Sequence, residues 1–276
     1  MSEIVCGGCF RRCRLAEGRV GVCHARKNEN GKNICLNYGK ITAAALDPIE
    51  KKPLARFYPG SRILSIGSFG CNLRCPFCQN DTISCADENS VPWQRQEPEE
   101  LAIRAESLRG KGNIGLAFTY NEPMIGWEFV RDTAREVRRR GMKNVVVTNG
   151  SVSLPVLEEV LPEIDAFNID LKGFTEAWYR RLGGDLGTVQ AFIREAAKRS
   201  HVELTTLVVP GENDSPAEMR ELSAWVQSVD RAIPLHITRF FPRHFMTDRA
   251  PTDIGRLYEL ADIAKERLDF VRIGNI

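Results

Sequence analysis

The chain has 276 residues, enough for one large domain or for one domain with a small appendage. Its hydrophobic share of 43% is ordinary for a globular protein, and a formal net charge of +2 does not support a nucleic-acid binder that depends on phosphate contacts. The sequence shows no apolar signal core and no run of about 18 apolar residues, so we expect a cytoplasmic protein without a membrane span.

The segment 1–60 is rich in cysteine and shows no helical or strand periodicity of any length. We therefore expect it to form a small appendage held together by metal. Four cysteines suit either tetrahedral zinc or a second iron-sulfur cluster, and the sequence leaves both open. These four are Cys6, Cys9, Cys13 and Cys23. Cys35 and Cys85 lie outside the cysteine groups, and we expect a small buried residue or a surface thiol at each.

The apolar run RILSIGSFG (62–70) predicts the first strand of a second domain, which we place at 61–276. It leads directly into three closely spaced cysteines, Cys71, Cys75 and Cys78. A four-cysteine site would need one more ligand than this triad provides. Three thiolates can hold three irons of a [4Fe-4S] cluster and leave the fourth iron open to bind another molecule. A zinc site completed by a distant histidine is the alternative.

From residue 62 onward, strand and helix patterns alternate about six times, and this alternation predicts parallel β/α units. The strands are nearly continuous apolar runs, as expected when both faces of a sheet are buried. We favour barrel-like closure over an open doubly wound sheet. The predicted strands after the first are 114–123, 144–150, 165–173, 201–211, 234–242 and 269–275. The predicted helices are 97–112, 127–137, 154–163, 188–200, 215–229 and 254–268.

Polar side chains collect where the predicted strands end. Because the carboxyl ends of parallel strands meet at one edge of the sheet, active sites of β/α folds lie there, and we expect these residues to share a site. The residues are Asn121, Glu122, Thr148, Asn149, Asp170, Lys172, His236 and Arg239. The alternative is that each is an ordinary cap or turn residue.

The spacing Cys71-x3-Cys75-x2-Cys78, with Phe77 before the third cysteine, resembles the signature of the radical S-adenosylmethionine (SAM) superfamily. The resemblance implies a partial (β/α)6 TIM-like barrel and an oxidoreductase-like enzyme. It also implies a [4Fe-4S] cluster whose open iron is chelated by SAM. Reductive cleavage of SAM would give a 5′-deoxyadenosyl radical that abstracts hydrogen from a substrate.

Further motifs resemble one subfamily over essentially the whole chain, the radical SAM component of the AmmeMemoRadiSam system. They include DPIEKKPL (47–54), TYNEP (119–123), NIDLKGF (168–174) and HITRFFP (236–242), together with the four N-terminal cysteines. That subfamily is similar to the activating enzymes of pyruvate formate-lyase. The resemblance implies an electron donor of the flavodoxin or ferredoxin type. It also implies either AMMECR-like and Memo-like partner proteins or a glycyl radical enzyme.

The same resemblance assigns roles to individual residues. Cys71, Cys75 and Cys78 would be the cluster ligands, and Phe77 would pack against adenine. Glu122 would contact the SAM amino group. The remaining candidates would contact SAM or the substrate: Thr148, Asn149, Asp170, Lys172, His236 and Arg239.

The sequence departs from the activating enzymes in two motifs. Tyr120-Asn121-Glu122-Pro123 stands where they usually have Gly-Gly-Glu, and Val147 stands where they have an acidic residue. These departures leave two alternatives open, glycyl radical formation in a protein and modification of a small molecule or peptide. A zinc-binding interaction module and a nucleic-acid-modifying enzyme are more distant alternatives.

Overall fold

The computed structural model describes residues 3–276, and its first part consists of short antiparallel ladders. The strands outside the main sheet pair as β1 (Ile4–Val5) with β2 (Arg14–Leu15), β3 (Arg26–Glu29) with β4 (Lys32–Cys35), and β5 (Lys40–Ile41) with β8 (Gln94–Arg95). The strands β1 to β5 have only two to four residues, which is too short for a strand periodicity to show in the sequence. The β3–β4 hairpin turns at Asn30 and Gly31, both with positive φ, as two-residue hairpin loops favour.

The main sheet has eight strands and forms the framework for the site. In spatial order they are β6 (Ala43–Pro48), β7 (Arg62–Gly67), β9 (Asn113–Phe118), β10 (Lys143–Thr148), β11 (Ala166–Asp170), β12 (His201–Val208), β13 (Leu235–Arg239) and β14 (Val271–Gly274). β6 pairs antiparallel with β7, and every other pairing in the sheet is parallel. Since β6 begins the sheet, the sheet crosses residue 60, and the division of the chain at that point stays a prediction.

Helices connect successive parallel strands. They are α1 (Asp81–Ser84), α2 (Pro98–Ser107), α3 (Trp127–Arg139), α4 (Leu154–Val160), α5 (Glu176–Arg181), α6 (Leu186–Ala196), α7 (Pro216–Asp230) and α8 (Ile254–Lys265). Short 3-10 turns occupy Ile49–Lys51, Arg109–Lys111, Pro123–Gly126 and Leu161–Glu163. Helix α7 begins with Pro216 in its first turn, and the Ser215 hydroxyl accepts a hydrogen bond from the Glu218 amide at 3.1 Å.

The parallel strands lie side by side in sequence order, which decides between the two predicted architectures. A doubly wound sheet reverses its strand order at a switch point, and this sheet does not. Six β/α units followed by β14 therefore form a partial TIM-like barrel, and the predicted fold class is confirmed. No helix in the described part of the chain is long and apolar enough to cross a membrane.

Two apolar layers hold the barrel together. The larger lies between the sheet and its helices and includes Leu64, Phe118 and Leu157, which are at most 2% exposed. The smaller packs Ile49 and its neighbours against the other face of the sheet, and its members are Ile49, Leu54, Phe57, Ile63, Ala117, Val145 and Ala166. The chain after β6 therefore closes one end of the barrel, and the carboxyl ends of the strands surround the other.

Candidate functional site

The three central cysteines lie in the loop that follows β7. All three are free thiols, and all three line one cavity of about 360 Å³. Burial raises the pKa of the Cys75 thiol to about 11 and that of Cys71 well above its ordinary range. Ionised thiolates are thus disfavoured here unless a positive charge accompanies them, which is what bound iron would supply.

The wall of this cavity is built from the carboxyl ends of the parallel strands, as predicted. The predicted residues that line it are Cys71, Cys75, Phe77, Cys78, Asn121, Glu122, Thr148, Asn149, Asp170 and Lys172. Lining residues that the sequence analysis did not select as site residues include Lys51, Pro53, Tyr120, Thr205, Leu207, Thr238 and Asn275.

Glu122 is a buried carboxylate at the centre of the hydrogen bonds that shape this wall. It accepts hydrogen bonds from the Thr148 hydroxyl at 2.7 Å and from the amides of Asn149 at 2.7 Å and Met124 at 3.0 Å. Burial raises the pKa of Glu122 to about 7, because these three bonds do not fully replace water around the charge. The carboxyl group therefore connects the loops after β9 and β10. It faces the cavity with a pKa close to neutral pH, so a ligand's charge can decide whether it is ionised.

Asp170 and Lys172 form an ion pair at the end of β11, with 2.8 Å between Oδ2 and Nζ. Burial alone would lower the pKa of Lys172, but the Asp170 charge raises it well above its ordinary value. The backbone around Lys172 is fixed as well, since its carbonyl accepts hydrogen bonds from Trp178 Nε1 and from Asn213 Nδ2, each at 2.8 Å. The pair presents both signs of charge to the cavity.

Phe77 provides an apolar wall beside the charged groups. Its ring is 6% exposed and stacks on Trp178, with 5.9 Å between ring centroids and 21° between ring planes. Leu182 and Phe240 belong to the same apolar cluster. A flat apolar surface next to acceptors and an ammonium group suits a molecule that carries both an aromatic ring and charged ends.

Two predicted site residues do not line the cavity. His236 lies deeper in the barrel than the cavity wall, and its Nε2 is 2.6 Å from Glu203 Oε2. Arg239 donates from Nε to the Thr252 carbonyl at 2.8 Å. Thr238, between them on β13, is the residue of this strand that lines the cavity. The structure thus places His236 and Arg239 outside the cavity wall, and their contact with SAM or the substrate stays a prediction.

A buried charge cluster supports the cavity wall at Tyr120. The Tyr120 hydroxyl donates to Asp47 Oδ2 at 2.7 Å, and Lys52 Nζ lies 2.9 Å from the same oxygen. Lys52 is 2% exposed and lies over the Tyr120 ring, so it is a buried cation and not a surface charge. Tyr120 itself has φ 72°, a left-handed conformation that is strained for a tyrosine.

The four N-terminal cysteines also come together. They line a cavity of about 20 Å³ that also includes Arg26 and Ile125, and the four are Cys6, Cys9, Cys13 and Cys23. Burial raises the pKa of Cys9 and Cys23, and charge on neighbouring cysteines raises it further. Cys35 is half-buried outside both cavities, and its thiol donates to Asn37 Oδ1 at 3.2 Å. Cys85 is exposed.

Within residues 3–276, no three Cys, His, Asp or Glu side chains are placed to hold a single metal ion. The N-terminal thiols share a cavity without such convergence, so a metal there stays a prediction. For the central triad, the question is whether its sulfur atoms suit an iron-sulfur cluster instead of a single metal ion. Three free thiols face a cavity large enough for a cluster with a further ligand, and that donor set fits a cluster bound through three irons.

Comparison with known proteins agrees with this geometry. A profile of the Radical SAM superfamily matches residues 65–222. The chain is 38% identical over 281 residues to an uncharacterized protein of Methanocaldococcus jannaschii, covering 100% of this chain and 82% of that protein. It is 25% identical over 222 residues to the pyruvate formate-lyase 1-activating enzyme of Escherichia coli, covering 78% of this chain and 88% of that enzyme.

The fold of a solved structure agrees as well. The crystal structure of a radical SAM methyltransferase from Sphaerobacter thermophilus superposes with a TM-score of 0.60 at 15% identity, covering 79% of this chain and 67% of that one. The chain belongs to the radical SAM superfamily. It is therefore an enzyme whose family uses a [4Fe-4S] cluster and SAM, and the similarity to pyruvate formate-lyase activating enzymes is confirmed.

Proposed function

We propose that Cys71, Cys75 and Cys78 hold a [4Fe-4S] cluster and that the enzyme cleaves SAM at the iron left open. When bound, the cluster supplies one electron that splits SAM into methionine and a 5′-deoxyadenosyl radical, which abstracts hydrogen from the substrate. One observation carries this proposal. Three free thiols, a buried carboxylate with a raised pKa and a half-buried ion pair line the same cavity.

The chain's own residues divide the binding of SAM among them in this proposal. Glu122 faces the SAM ammonium, and Lys172 faces its carboxylate, as opposite charges favour. Phe77 packs against the adenine ring, and its stacking on Trp178 holds it in place. Thr148 and Asn149 fix the orientation of Glu122 through their hydrogen bonds.

We propose that the radical acts on a small molecule or a peptide in an AmmeMemoRadiSam-type system, together with AMMECR-like and Memo-like proteins. The motifs spread along the whole chain support this assignment. An electron donor of the flavodoxin or ferredoxin type would reduce the cluster. The cytoplasm, where such donors operate, is the proposed location.

A second candidate function is the activation of a glycyl radical enzyme. The similarity to the pyruvate formate-lyase 1-activating enzyme over 78% of the chain favours it. The replacement of Gly-Gly-Glu by the strained Tyr120 and its neighbours counts against it. The two candidates differ in substrate and share the cavity.

We also propose that the four N-terminal cysteines hold zinc or a second iron-sulfur cluster. Their common cavity supports this, and so do the raised pKa values of Cys9 and Cys23, because a bound cation would stabilise the thiolates that burial and neighbouring negative charge disfavour. His24 is not included among the ligands, since its Nε2 lies 3.2 Å from Arg74 Nη2.

The first experiment measures iron, sulfide and zinc under anaerobic conditions, with a SAM-cleavage assay alongside. We expect the Cys71/Cys75/Cys78→Ala variant to lose about four irons and to form no 5′-deoxyadenosine. The matched control is Cys85→Ala, because Cys85 is close in sequence to the triad but is exposed and lines neither cavity. Unchanged iron and unchanged cleavage in the triple variant would contradict the proposal.

The substrate is tested separately with the loaded wild-type enzyme. A glycyl radical signal in the electron paramagnetic resonance (EPR) spectrum, formed when a glycyl radical enzyme is added, would support the second candidate. SAM cleavage that rises only when AMMECR-like and Memo-like proteins are added would support the first. Each result counts against the other function.

A further inference from the structure

The N-terminal cysteine segment is docked on the loop that carries the central triad. A Cβ added to Gly70, which has φ 88°, would lie 2.3 Å from the Cys23 carbonyl oxygen, so only glycine permits this approach. Arg74 in the triad loop donates to the Val22 carbonyl. Arg11, between two N-terminal cysteines, donates from Nε to the Asn72 carbonyl at 2.7 Å. The two cysteine groups are therefore neighbours in one packed unit.

Asn72 lies at the junction between them and is fully buried. Its backbone carbonyl accepts the hydrogen bond from Arg11, which lies two residues after Cys9. Its Nδ2 also donates to the Ser151 carbonyl at 2.9 Å, and its Oδ1 accepts from Asn149 Nδ2 at 2.9 Å. A buried amide with these partners has one orientation, because a flip would set donors against donors.

Asn149 extends this series of contacts to the cluster ligand. Its Oδ1 accepts from the Ser151 amide at 2.8 Å, which fixes the plane of the side chain. Its Nδ2 carries two protons. One points to Asn72, and the same nitrogen lies 3.6 Å from Cys71 Sγ. Hydrogen-bonding groups thus connect Arg11 of the N-terminal cysteine segment through Asn72 and Asn149 to Cys71.

We propose that Asn72 is a positioning residue that couples the N-terminal cysteine site to the catalytic cluster. It orients Asn149 so that the second amide proton points at the Cys71 sulfur. A change at Cys9 displaces the neighbouring Arg11 and reaches Cys71 through the Arg11–Asn72 hydrogen bond. The inference rests on the proposed function, since it requires a cluster at the triad. Hydrogen bonds to ligand sulfurs set cluster reduction potentials, because they stabilise the extra negative charge of the reduced state.

The test is an anaerobic redox titration of the reconstituted full chain, read by the EPR signal that changes when SAM is added. Only the triad cluster is proposed to bind SAM. The effect of SAM on the EPR signal therefore distinguishes the triad cluster from any iron at the N-terminal site. We expect Asn149→Ala, Asn72→Leu and Cys9→Ala each to make the midpoint potential more negative. At a fixed solution potential, the ratio of reduced to oxidised cluster should fall about two- to tenfold, the range of one hydrogen bond.

Coupling is tested by a double-mutant cycle between positions 9 and 72. Cys9→Ala should add nothing in the Asn72→Leu background, because the connection is already broken there. Cys35→Ala is the matched control, a cysteine of the same segment that lines neither cavity, and it should leave the potential unchanged. Asn72→Ala replaces Asn72→Leu if the latter does not take up iron.

The outcomes separate this inference from the proposed function. A wild-type chain that takes up no cluster would contradict the proposed function, and the iron count shows this before any titration. A wild-type cluster whose potential is unaffected by Asn72→Leu and Cys9→Ala would overturn the inference alone. Fully additive effects at positions 9 and 72 would overturn it as well.

Discussion

Nε2 of His236 lies 2.6 Å from Oε2 of Glu203, one layer below the residues that line the candidate site. Oε2 also accepts a hydrogen bond from the Ala55 amide at 2.9 Å. The other carboxylate oxygen accepts from the Arg56 amide at 2.7 Å and lies 2.9 Å from Nε2 of His201. One carboxylate therefore joins two barrel strands to the segment that closes the opposite end of the barrel.

We expect Glu203→Gln to lower the free energy of unfolding at pH 7 by roughly 1–3 kcal/mol, because the new amide must face a backbone donor. Burial alone would raise the pKa of Glu203, but hydrogen bonds from His201, His236 and the two backbone amides lower it to about 2. The carboxylate thus stabilises the fold above about pH 4.5, its unfolded value, and this contribution is lost as the pH falls toward 2. Urea unfolding from pH 7 to pH 3 measures it.

Glu218→Gln is the matched control for that experiment. Glu218 is also a buried carboxylate, and it accepts a hydrogen bond from the Phe174 amide at 2.5 Å. Burial raises its pKa instead of lowering it, so it gives no stability that acid would remove. If Glu203→Gln left the acid dependence of unfolding as steep as in the wild type, the role given to Glu203 would be wrong.

The raised pKa of Glu122 predicts a pH-dependent affinity for SAM. Burial holds this pKa at about 7 without ligand, and a bound ammonium would lower it, so binding below pH 7 must release a proton. We expect the affinity of the loaded enzyme for SAM to rise up to about tenfold from pH 6 to pH 8. Calorimetry in buffers of different ionisation enthalpy detects the released proton.

Glu122→Gln should bind SAM more weakly and show neither the proton release nor the rise with pH. Glu99→Gln serves as the control, since Glu99 is an exposed carboxylate on α2. The same rise with pH in Glu122→Gln as in the wild type would assign the titrating group elsewhere.

The N-terminal metal proposal predicts a second loss of metal that is independent of the triad. We expect Cys13→Ala with Cys23→Ala to remove metal that remains in the triad variant. The thermal midpoint should fall by about 5 °C or more, since a bound metal stabilises only the folded chain. Metal analysis and thermal unfolding with and without chelator measure both effects. Equal metal content in this variant and the wild type would exclude the site.

Local sequence patterns were sufficient to predict the barrel and much of its cavity wall. Apolar runs such as 144–150 marked the strands, and the residues that follow them lie at one end because parallel strands point the same way. The triad spacing marked the loop to which we assign the cluster. Each of these inferences needed only neighbouring residues and the known direction of a β/α unit.

What could not be predicted depends on contacts between distant parts of the chain. Lys52 resembles a surface lysine until the loop after β9 brings the Tyr120 ring against it and the Tyr120 hydroxyl to Asp47. His236 and Thr238 share a face of β13, and only the depth of the barrel decides which one reaches the cavity. Neither depth nor long-range pairing is encoded in the local pattern.

The ion pair at the end of β11 should behave as a coupled unit. Asp170→Asn leaves the Lys172 ammonium in the cavity wall without its partner, so we expect a loss of stability of about 1–3 kcal/mol. Lys172→Met removes the cation that would face the SAM carboxylate, and SAM affinity should fall about tenfold or more. The double variant should be more stable than the sum of the single effects by about 1 kcal/mol, because neither charge is then left alone. Urea unfolding gives the coupling, and additive effects would show that the 2.8 Å pair does not stabilise the fold as a unit.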